Sequence, residues 1–236
     1  MKNAIVTGAT KGIGLAIAKM LISDGFNVTA TYGNDDAAAE ICRNTLGDKA
    51  EIVKVDMGNK EMLRRFTAQM RLKGHIDCLV CNAATTLRKP LIETRDDEWE
   101  HIMQVNLNSN VYLIRDLMNV LTNDARIVFI GSLMGMTPHS TSLAYGVSKA
   151  AVTALAKNLV KEFAGTKTTV NVIAPGFVET EWQKSKPEEI RRNICNKTAA
   201  GRFARPEEIA DAVRFCLNNP FVNGSVIEVS GGYDYK

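Results

Sequence analysis

Tyr145 and Lys149 stand four residues apart in "LAYGVSKAAV" (143–152), at what reads as the opening of a long helix. Residues four apart share a helix face and can touch. A phenol beside an ammonium is a pair that can move a proton: free tyrosine titrates near pH ~10, and an adjacent cation lowers that value. Such a pair also occurs as a surface accident. Which of the two it is depends on what the rest of the chain builds around it.

A second stretch carries chemistry of another kind. "TGATKGIG" (7–14) follows a short apolar run and opens an amphipathic one. Gly8, Gly12 and Gly14 allow a tight turn and close approach of a ligand to the backbone. The helix that follows presents free N–H groups and the positive end of its dipole, which suits a pyrophosphate. This strand–turn–helix context predicts dinucleotide binding. An NAD site wants an acid at the end of the second strand, about 20 residues on, for the ribose 2′-hydroxyl. Here Tyr32, Gly33 and Asn34 occupy that place, and Lys11 in the glycine loop offers a cation to a 2′-phosphate. Both features favour NADP(H) over NAD(H). Asp35 and Asp36 pull the other way if the strand runs two or three residues further.

The elements that must position these groups alternate regularly. Short apolar runs at 4–7, 27–31, 51–55, 77–81, 126–131, 169–174 and 225–229 read as buried strands. Stretches at helical spacing separate them: 12–24, 36–46, 59–73, 96–122, 142–164 and 206–218. Strand and helix in alternation mean parallel βαβ units, and strands that are nearly all apolar expect helices on both faces. The expectation is one α/β, doubly wound domain over 1–236, with about seven parallel strands. The segment 176–205 resists the alternation; it is long and polar, with a helix predicted at 187–198, and reads as a lid over a substrate site.

Bulk properties exclude several classes. Hydrophobic residues make up 45% and charged residues 23% of 236, as in a soluble globular domain, and the net charge is only +3. No basic run argues for nucleic acid or an anionic membrane, and no apolar run approaches a membrane span. The N-terminus enters a strand directly, with no export signal, so a cytoplasmic location is expected. Five scattered cysteines suit a reducing compartment. Cys78 and Cys81 form C-x-x-C, but in a strand they face opposite sides and lie roughly 10 Å apart, beyond the ~7 Å a disulfide allows. They read as buried thiols. The three histidines have no thiol or carboxylate at ligand spacing, so no metal is expected.

Taken in order, these motifs resemble the short-chain dehydrogenase/reductase family over the whole chain. The carriers are the glycine loop, "VDM" (55–57), "CNAA" (81–84), "VNL" (105–107), "IGSLMG" (130–135), the Tyr145-x-x-x-Lys149 pair and "APGFVET" (174–180). "CNAA" departs from the family's Asn-Asn-Ala-Gly, with Cys81 for Asn and Ala84 for Gly. The resemblance implies a Rossmann-type fold and a catalytic tetrad of Asn106, Ser132, Tyr145 and Lys149. In that scheme Ser132 hydrogen-bonds the substrate oxygen and Tyr145 gives it a proton. Lys149 tunes Tyr145 and holds the nicotinamide ribose, and Asn106 holds a relay water. The resemblance further implies cofactor contacts from Gly8, Thr10, Lys11, Gly12, Ile13 and Gly14 on the first loop. It adds Tyr32, Gly33 and Asn34, then Asp56 and Met57, then Asn82, Ala83 and Ala84. Pro175, Gly176, Val178 and Thr180 complete the set beside Tyr145 and Lys149.

Within the family the chain is most similar to the 3-oxoacyl-(acyl carrier protein) reductases, as in "GRFARPEEIADAVRFCL" and "NGSVIEVSGG". This implies reduction of a 3-oxoacyl thioester by NADPH in fatty-acid synthesis, an acyl carrier protein as partner and a homotetramer. The arginines that would meet an acidic carrier are replaced by Asn123 and Thr166, with Lys161, Lys167 and Arg126 as candidate substitutes. Ser132, Met134, His139 and Tyr145 are the expected substrate contacts, with Met136 a further candidate. Two alternatives remain open: another alcohol or ketone (steroid, sugar, small hydroxy acid), or a non-catalytic protein that senses NADP(H).

Overall fold

The computed structural model describes residues 2–138 and 142–235. Among them run seven strands: β1 (Lys2–Val6), β2 (Phe26–Tyr32), β3 (Ala50–Lys54), β4 (Ile76–Cys81), β5 (Leu121–Ile130), β6 (Thr169–Pro175) and β7 (Val226–Val229). They form one sheet in the order β3-β2-β1-β4-β5-β6-β7. Every neighbouring pair is parallel. The expected single doubly wound α/β domain is what the chain builds.

Helices cover both faces, as strands apolar on both sides require. One face packs under α1 (Gly12–Ser23) and α9 (Pro206–Asn218), with Leu21, Val28, Val80 and Ile209 in its core. The other packs under α3 (Lys60–Lys73), α5 (Ser109–Leu117) and α6 (Leu143–Glu162), with Leu79, Leu113, Phe129 and Val172. Leu79 and Val80 are adjacent and fully buried, yet belong to opposite cores, because successive strand side chains point to opposite faces. Each such side chain contributes about 1.5–3 kcal/mol on burial. Cys78 and Cys81 divide the same way, one to each face, and both are buried free thiols. Burial pushes the Cys78 thiol up to about 12.

Two boundaries differ from expectation. The stretch 96–122 is α4 (Asp96–Met103), a π-helical turn (Gln104–Asn108) and α5, and it ends at a short 3₁₀ turn. β5 begins at Leu121, five residues before its apolar run, because Leu121 pairs with Ile76 ahead of a register shift. Asn123 and Asp124 in that extension are exposed, so no apolar alternation marked it.

The segment 176–205 carries two short helices, α7 (Glu181–Lys184) and α8 (Glu188–Lys197), the latter close to the predicted 187–198. It is tied down at several points. Val178 bridges to Ala204 and Thr198 to Tyr233. Arg191 pairs with Glu179 at 2.6 Å and lies over the Phe203 ring at 4.5 Å. Phe177 packs on Phe203 and Tyr233, with ring centroids 6.1 and 5.1 Å away. The remaining helix, α2 (Asp36–Leu46), flanks β2 and β3. No described helix is long and apolar enough to cross a membrane.

Candidate active site

The sheet order turns back on itself between β1 and β4, so the loops leaving their C-terminal ends part and open a crevice. The two loops are stitched together. Thr7 Oγ1 accepts the backbone N–H groups of Asn82 and Ala83 at 2.9 and 3.0 Å. Asn82 Nδ2 donates to the carbonyl oxygens of Thr7 and Gly8, both at 2.9 Å. Gly14 is required by this closeness: a Cβ there would lie 2.3 Å from Gly8 O. Gly12, where α1 starts, has φ +55°. No side chain caps that helix, so its first N–H groups face the cleft. This glycine cradle with a helix start behind it fits a dinucleotide pyrophosphate.

The cleft has a volume of about 460 Å³. Gly8, Thr10, Lys11, Gly12, Ile13 and Gly14 line it, with Tyr32, Gly33 and Asn34 after β2 and Asp56 and Met57 after β3. Asn82, Ala83 and Ala84 follow β4, and Pro175, Gly176, Val178 and Thr180 follow β6. Asp56 Oδ1 accepts Gly58 N–H at 2.8 Å, which fixes its carboxylate at the rim.

β2 ends at Tyr32, so Tyr32, Gly33 and Asn34 fall where the sequence put them. Of the two following acids only Asp35 reaches the cleft. Its Oδ2 accepts Lys11 Nζ at 2.7 Å and its Oδ1 caps α2 through Ala38 N–H at 2.9 Å. The bond from Lys11 holds its carboxyl below the usual range. Asp36 turns away and binds Lys54 and the Tyr32 hydroxyl, all at 2.9 Å.

Ser132, Tyr145 and Lys149 meet in the cleft wall. Ser132 leaves the end of β5; its hydroxyl accepts Met134 N–H at 3.1 Å and pulls the Tyr145 phenol toward ionisation. Lys149 is 4% exposed. Its Nζ donates to Ile130 O at 2.7 Å and lies 5.7 Å from the Tyr145 ring centroid. Burial lowers the Lys149 ammonium to about 8. Burial also raises Tyr145, and Ser132, not Lys149, supplies the opposing pull. Lys149, at about 8, has lost its proton by the pH at which Tyr145 ionises, so its charge does not enter the Tyr145 shift, while at neutral pH the ammonium is present beside the ring.

Asn106 lies in the π turn, 1% exposed. Its Oδ1 accepts Thr85 N–H at 2.8 Å, while its Nδ2 donates to Thr85 O at 3.0 Å and Ser148 Oγ at 2.9 Å. Its own carbonyl accepts Asn110 Nδ2 at 2.8 Å. Both amide hydrogens are thus engaged by protein, so a relay water would have to be held by its oxygens. π turns recur at functional sites.

Met134 lines the cleft, whereas Met136 does not and is 47% exposed. His139 lies outside the described residues. Arg126 is not free to meet a carrier: its side chain is 13% exposed. It donates to Leu217 O, Asp124 O and Lys167 O at 3.2, 2.9 and 3.2 Å. Phe177, Trp182 and Gln183 also line the cleft, from within the segment 176–205 that reads as a lid, and so do Thr86 and Arg88, which carry no local signal in the sequence. Among the described residues no group of three His, Cys, Asp or Glu could hold a metal ion.

Known proteins agree with this geometry. A family model described as enoyl-(acyl carrier protein) reductase matches residues 8–234. The 3-oxoacyl-[acyl-carrier-protein] reductase of Haemophilus influenzae is 36% identical, over 98% of this chain and 97% of the relative. A short-chain dehydrogenase/reductase from Serratia marcescens superposes with a TM-score of 0.92 at 28% identity, covering 99% and 98% of the two chains. The Pseudomonas aeruginosa RhlG/NADP complex does so at 0.91 and 29%, covering 99% and 96%. With the crevice, the ordered motifs and full-length relatives in agreement, this chain belongs to the short-chain dehydrogenase/reductase family of nicotinamide-dependent oxidoreductases.

Proposed function

We propose that the protein reduces the ketone of a 3-oxoacyl thioester to a hydroxyl, using NADPH. The observation that carries the reading is the grouping of Ser132, Tyr145 and a buried Lys149, its Nζ 5.7 Å from the Tyr145 ring centroid, at the wall of a cleft shaped for a dinucleotide. The names of the reductase relatives support the acyl substrate.

The bound dinucleotide supplies the hydride to the carbonyl carbon. Everything else falls to this chain. As negative charge grows on the carbonyl oxygen, Ser132 donates a hydrogen bond to it. Tyr145 gives that oxygen its proton, and the raised pKa keeps the phenol protonated at neutral pH. Lys149, held under the ring, stabilises the phenolate left behind and can reach the ribose hydroxyls. Asn106 braces the helix that carries both. The segment 176–205 closes the substrate end.

Lys11 supports NADP(H) as the cofactor: its ammonium, at the rim of the glycine loop, would hold the 2′-phosphate. The chain acts as a homotetramer, as the family resemblance implies, and takes its substrate from an acyl carrier protein.

A Tyr145→Phe variant tests the chemistry. It keeps the ring and removes the proton. The expected result is NADPH binding intact and turnover of a 3-oxoacyl thioester down at least ~100-fold. Undiminished turnover would take the proton donor's role away from Tyr145; NADPH binding by the wild type with no turnover would favour the NADP(H)-sensing reading.

A further inference from the structure

The excursion after β6 lends the cleft one wall: Phe177, Val178, Thr180, Glu181, Trp182 and Gln183. The wall is fastened unevenly. Its first half is tied to the rest of the fold. Val178 bridges to Ala204. Ala204 N–H donates to Phe177 O at 2.9 Å, and Glu179 N–H to Ala204 O at 2.8 Å. Thr180 abuts the glycine loop, its Cγ2 3.2 Å from where a Cβ on Gly12 would stand.

The second half is α7, a helix of four residues, none of them buried. A helix that short does not hold itself in water, and here little packing helps it. Most of its polar links stay within 180–186. Gln183 N–H donates to Thr180 O at 2.9 Å, Lys186 N–H to Gln183 O at 3.1 Å, and Lys184 Nζ to Glu181 at 2.5 Å. Among the described residues a single hydrogen bond ties α7 to chain beyond that turn: Arg191 Nη1 donates to Gln183 O at 3.2 Å.

Arg191, on α8, is itself held fast. Its Nη2 donates to Glu179 Oε2 at 2.6 Å and its Nη1 to Glu179 Oε1 at 3.3 Å. The guanidinium lies 4.5 Å from the Phe203 ring centroid, and the side chain is 24% exposed. The planar fork thus grips a carboxylate before α7 and a carbonyl within it at once, which a single ammonium cannot match.

We propose that Arg191 is a positioning residue for the dinucleotide site: it locks α7 to Glu179 and so keeps Trp182 and Gln183 in the wall that a bound nicotinamide cofactor meets. Arg191 acts through that wall and does not itself line the cleft. Without the lock the wall is formed in only a fraction of the molecules, and the apparent Kd for the cofactor rises in inverse proportion. The inference rests on the nicotinamide-binding cleft and holds whichever carbonyl is reduced.

The test uses the full-length protein and two readouts. The first is the Kd for NADPH, with NADH titrated in parallel, in the native chain, Arg191→Met and Arg191→Lys. Arg191→Met removes every donor and should raise the Kd about tenfold, as expected for a wall formed in about one molecule in ten. Arg191→Lys can still pair with Glu179 and should bring the Kd back to within about threefold of wild type. The second readout is acrylamide quenching of Trp182, which is 50% exposed. It is measured without cofactor in a Trp99→Phe background, since the chain has two tryptophans. The quenching constant should rise about twofold in Arg191→Met, as a loosened helix exposes its ring, and fall back in Arg191→Lys.

A lower melting temperature with Kd and quenching both unchanged would make Arg191 a brace of the fold and overturn the proposal. A raised Kd with unchanged quenching overturns it too, since the effect then lies outside α7. So does raised quenching with an unchanged Kd, because the cofactor then has no need of the wall. If Arg191→Met does not fold, Glu179→Gln loosens the same lock from the other side. It should raise the Kd about threefold together with the quenching, and no change in either sinks the idea. Binding of neither cofactor by the wild type would fail the nicotinamide reading itself and take the proposal with it.

Discussion

The side-chain amide of Asn106 donates to Ser148 Oγ across 2.9 Å. Ser148 in turn donates to the carbonyl oxygen of Tyr145 at 2.7 Å. The π turn is thereby joined, through a serine with no exposed surface, to the backbone that holds the phenol. Ser148 is a positioning residue on this geometry. Ser148→Ala should lower kcat about tenfold, near 1.4 kcal/mol of barrier, with KM for NADPH within about twofold of wild type. Steady-state kinetics decide it: a drop in melting temperature with unchanged kcat would make the bond merely structural.

Lys149 should leave a signature in the pH dependence of stability. Its folded pKa, about 8, lies below the ordinary 10.5. From pH 8 to 10.5 the folded chain therefore binds fewer protons at this site than the unfolded chain, and this residue's contribution to stability rises with pH. Below pH 8 the charged form is buried at full cost. Raised thiols such as Cys78 act in the opposite sense at higher pH. The difference between wild type and Lys149→Met isolates the effect: urea unfolding at pH 7 to 10 should show a rise that the variant lacks. Parallel curves would contradict the burial argument.

The Lys11–Asp35 pair predicts a change in cofactor use. Both side chains are about half exposed, at 49% and 46%, so the pair itself is weak. Lys11→Ala should raise KM for NADPH about tenfold and leave KM for NADH nearly unchanged, since only the 2′-phosphate needs the cation. Matching losses with both cofactors would assign Lys11 to the pyrophosphate instead.

Gly14→Ala should abolish dinucleotide binding. The Cβ would meet Gly8 O at 2.3 Å and Asn82 Nδ2 at 2.6 Å, so the Gly8–Ala9 backbone and the Asn82 side chain must both give way. Overpacking of this kind costs about 1–3 kcal/mol. Protein fluorescence titrated with NADPH measures the loss; binding within a few-fold of wild type would mean that the loop yields easily.

Arg126→Ala should destabilise the fold and spare catalysis. The guanidinium ties β5 to the carbonyl oxygens of Leu217 and Lys167, the first bond part-buried and the second exposed. Losing the part-buried bond costs about 1 kcal/mol. An unchanged denaturation midpoint with a raised KM for a carrier-bound substrate would restore Arg126 to the docking role.

The amino-acid order by itself determined the alternation of strands and helices and the glycine turn at the switch point. It also determined that Ser132, Tyr145 and Lys149 follow one another at reactive spacing. These are local properties: a period of two or 3.6, a turn that only glycine fits, two side chains on one helical face. The tertiary structure decided which partner each polar group received. Lys149 donates to the Ile130 carbonyl, and Tyr145 is raised by burial and pulled down by Ser132. Asn106 binds Thr85 and Ser148, 21 and 42 residues away, and lies in a π turn inside an otherwise ordinary helical pattern. Arg126, read as a surface cation, is taken up by carbonyl oxygens brought in by β6 and α9. Arg88 and Gln183 become cleft residues only when the loop after β4 and the excursion after β6 meet. Such partners are chosen by where parallel strands end in space, and residues far apart in the chain carry no spacing that records it.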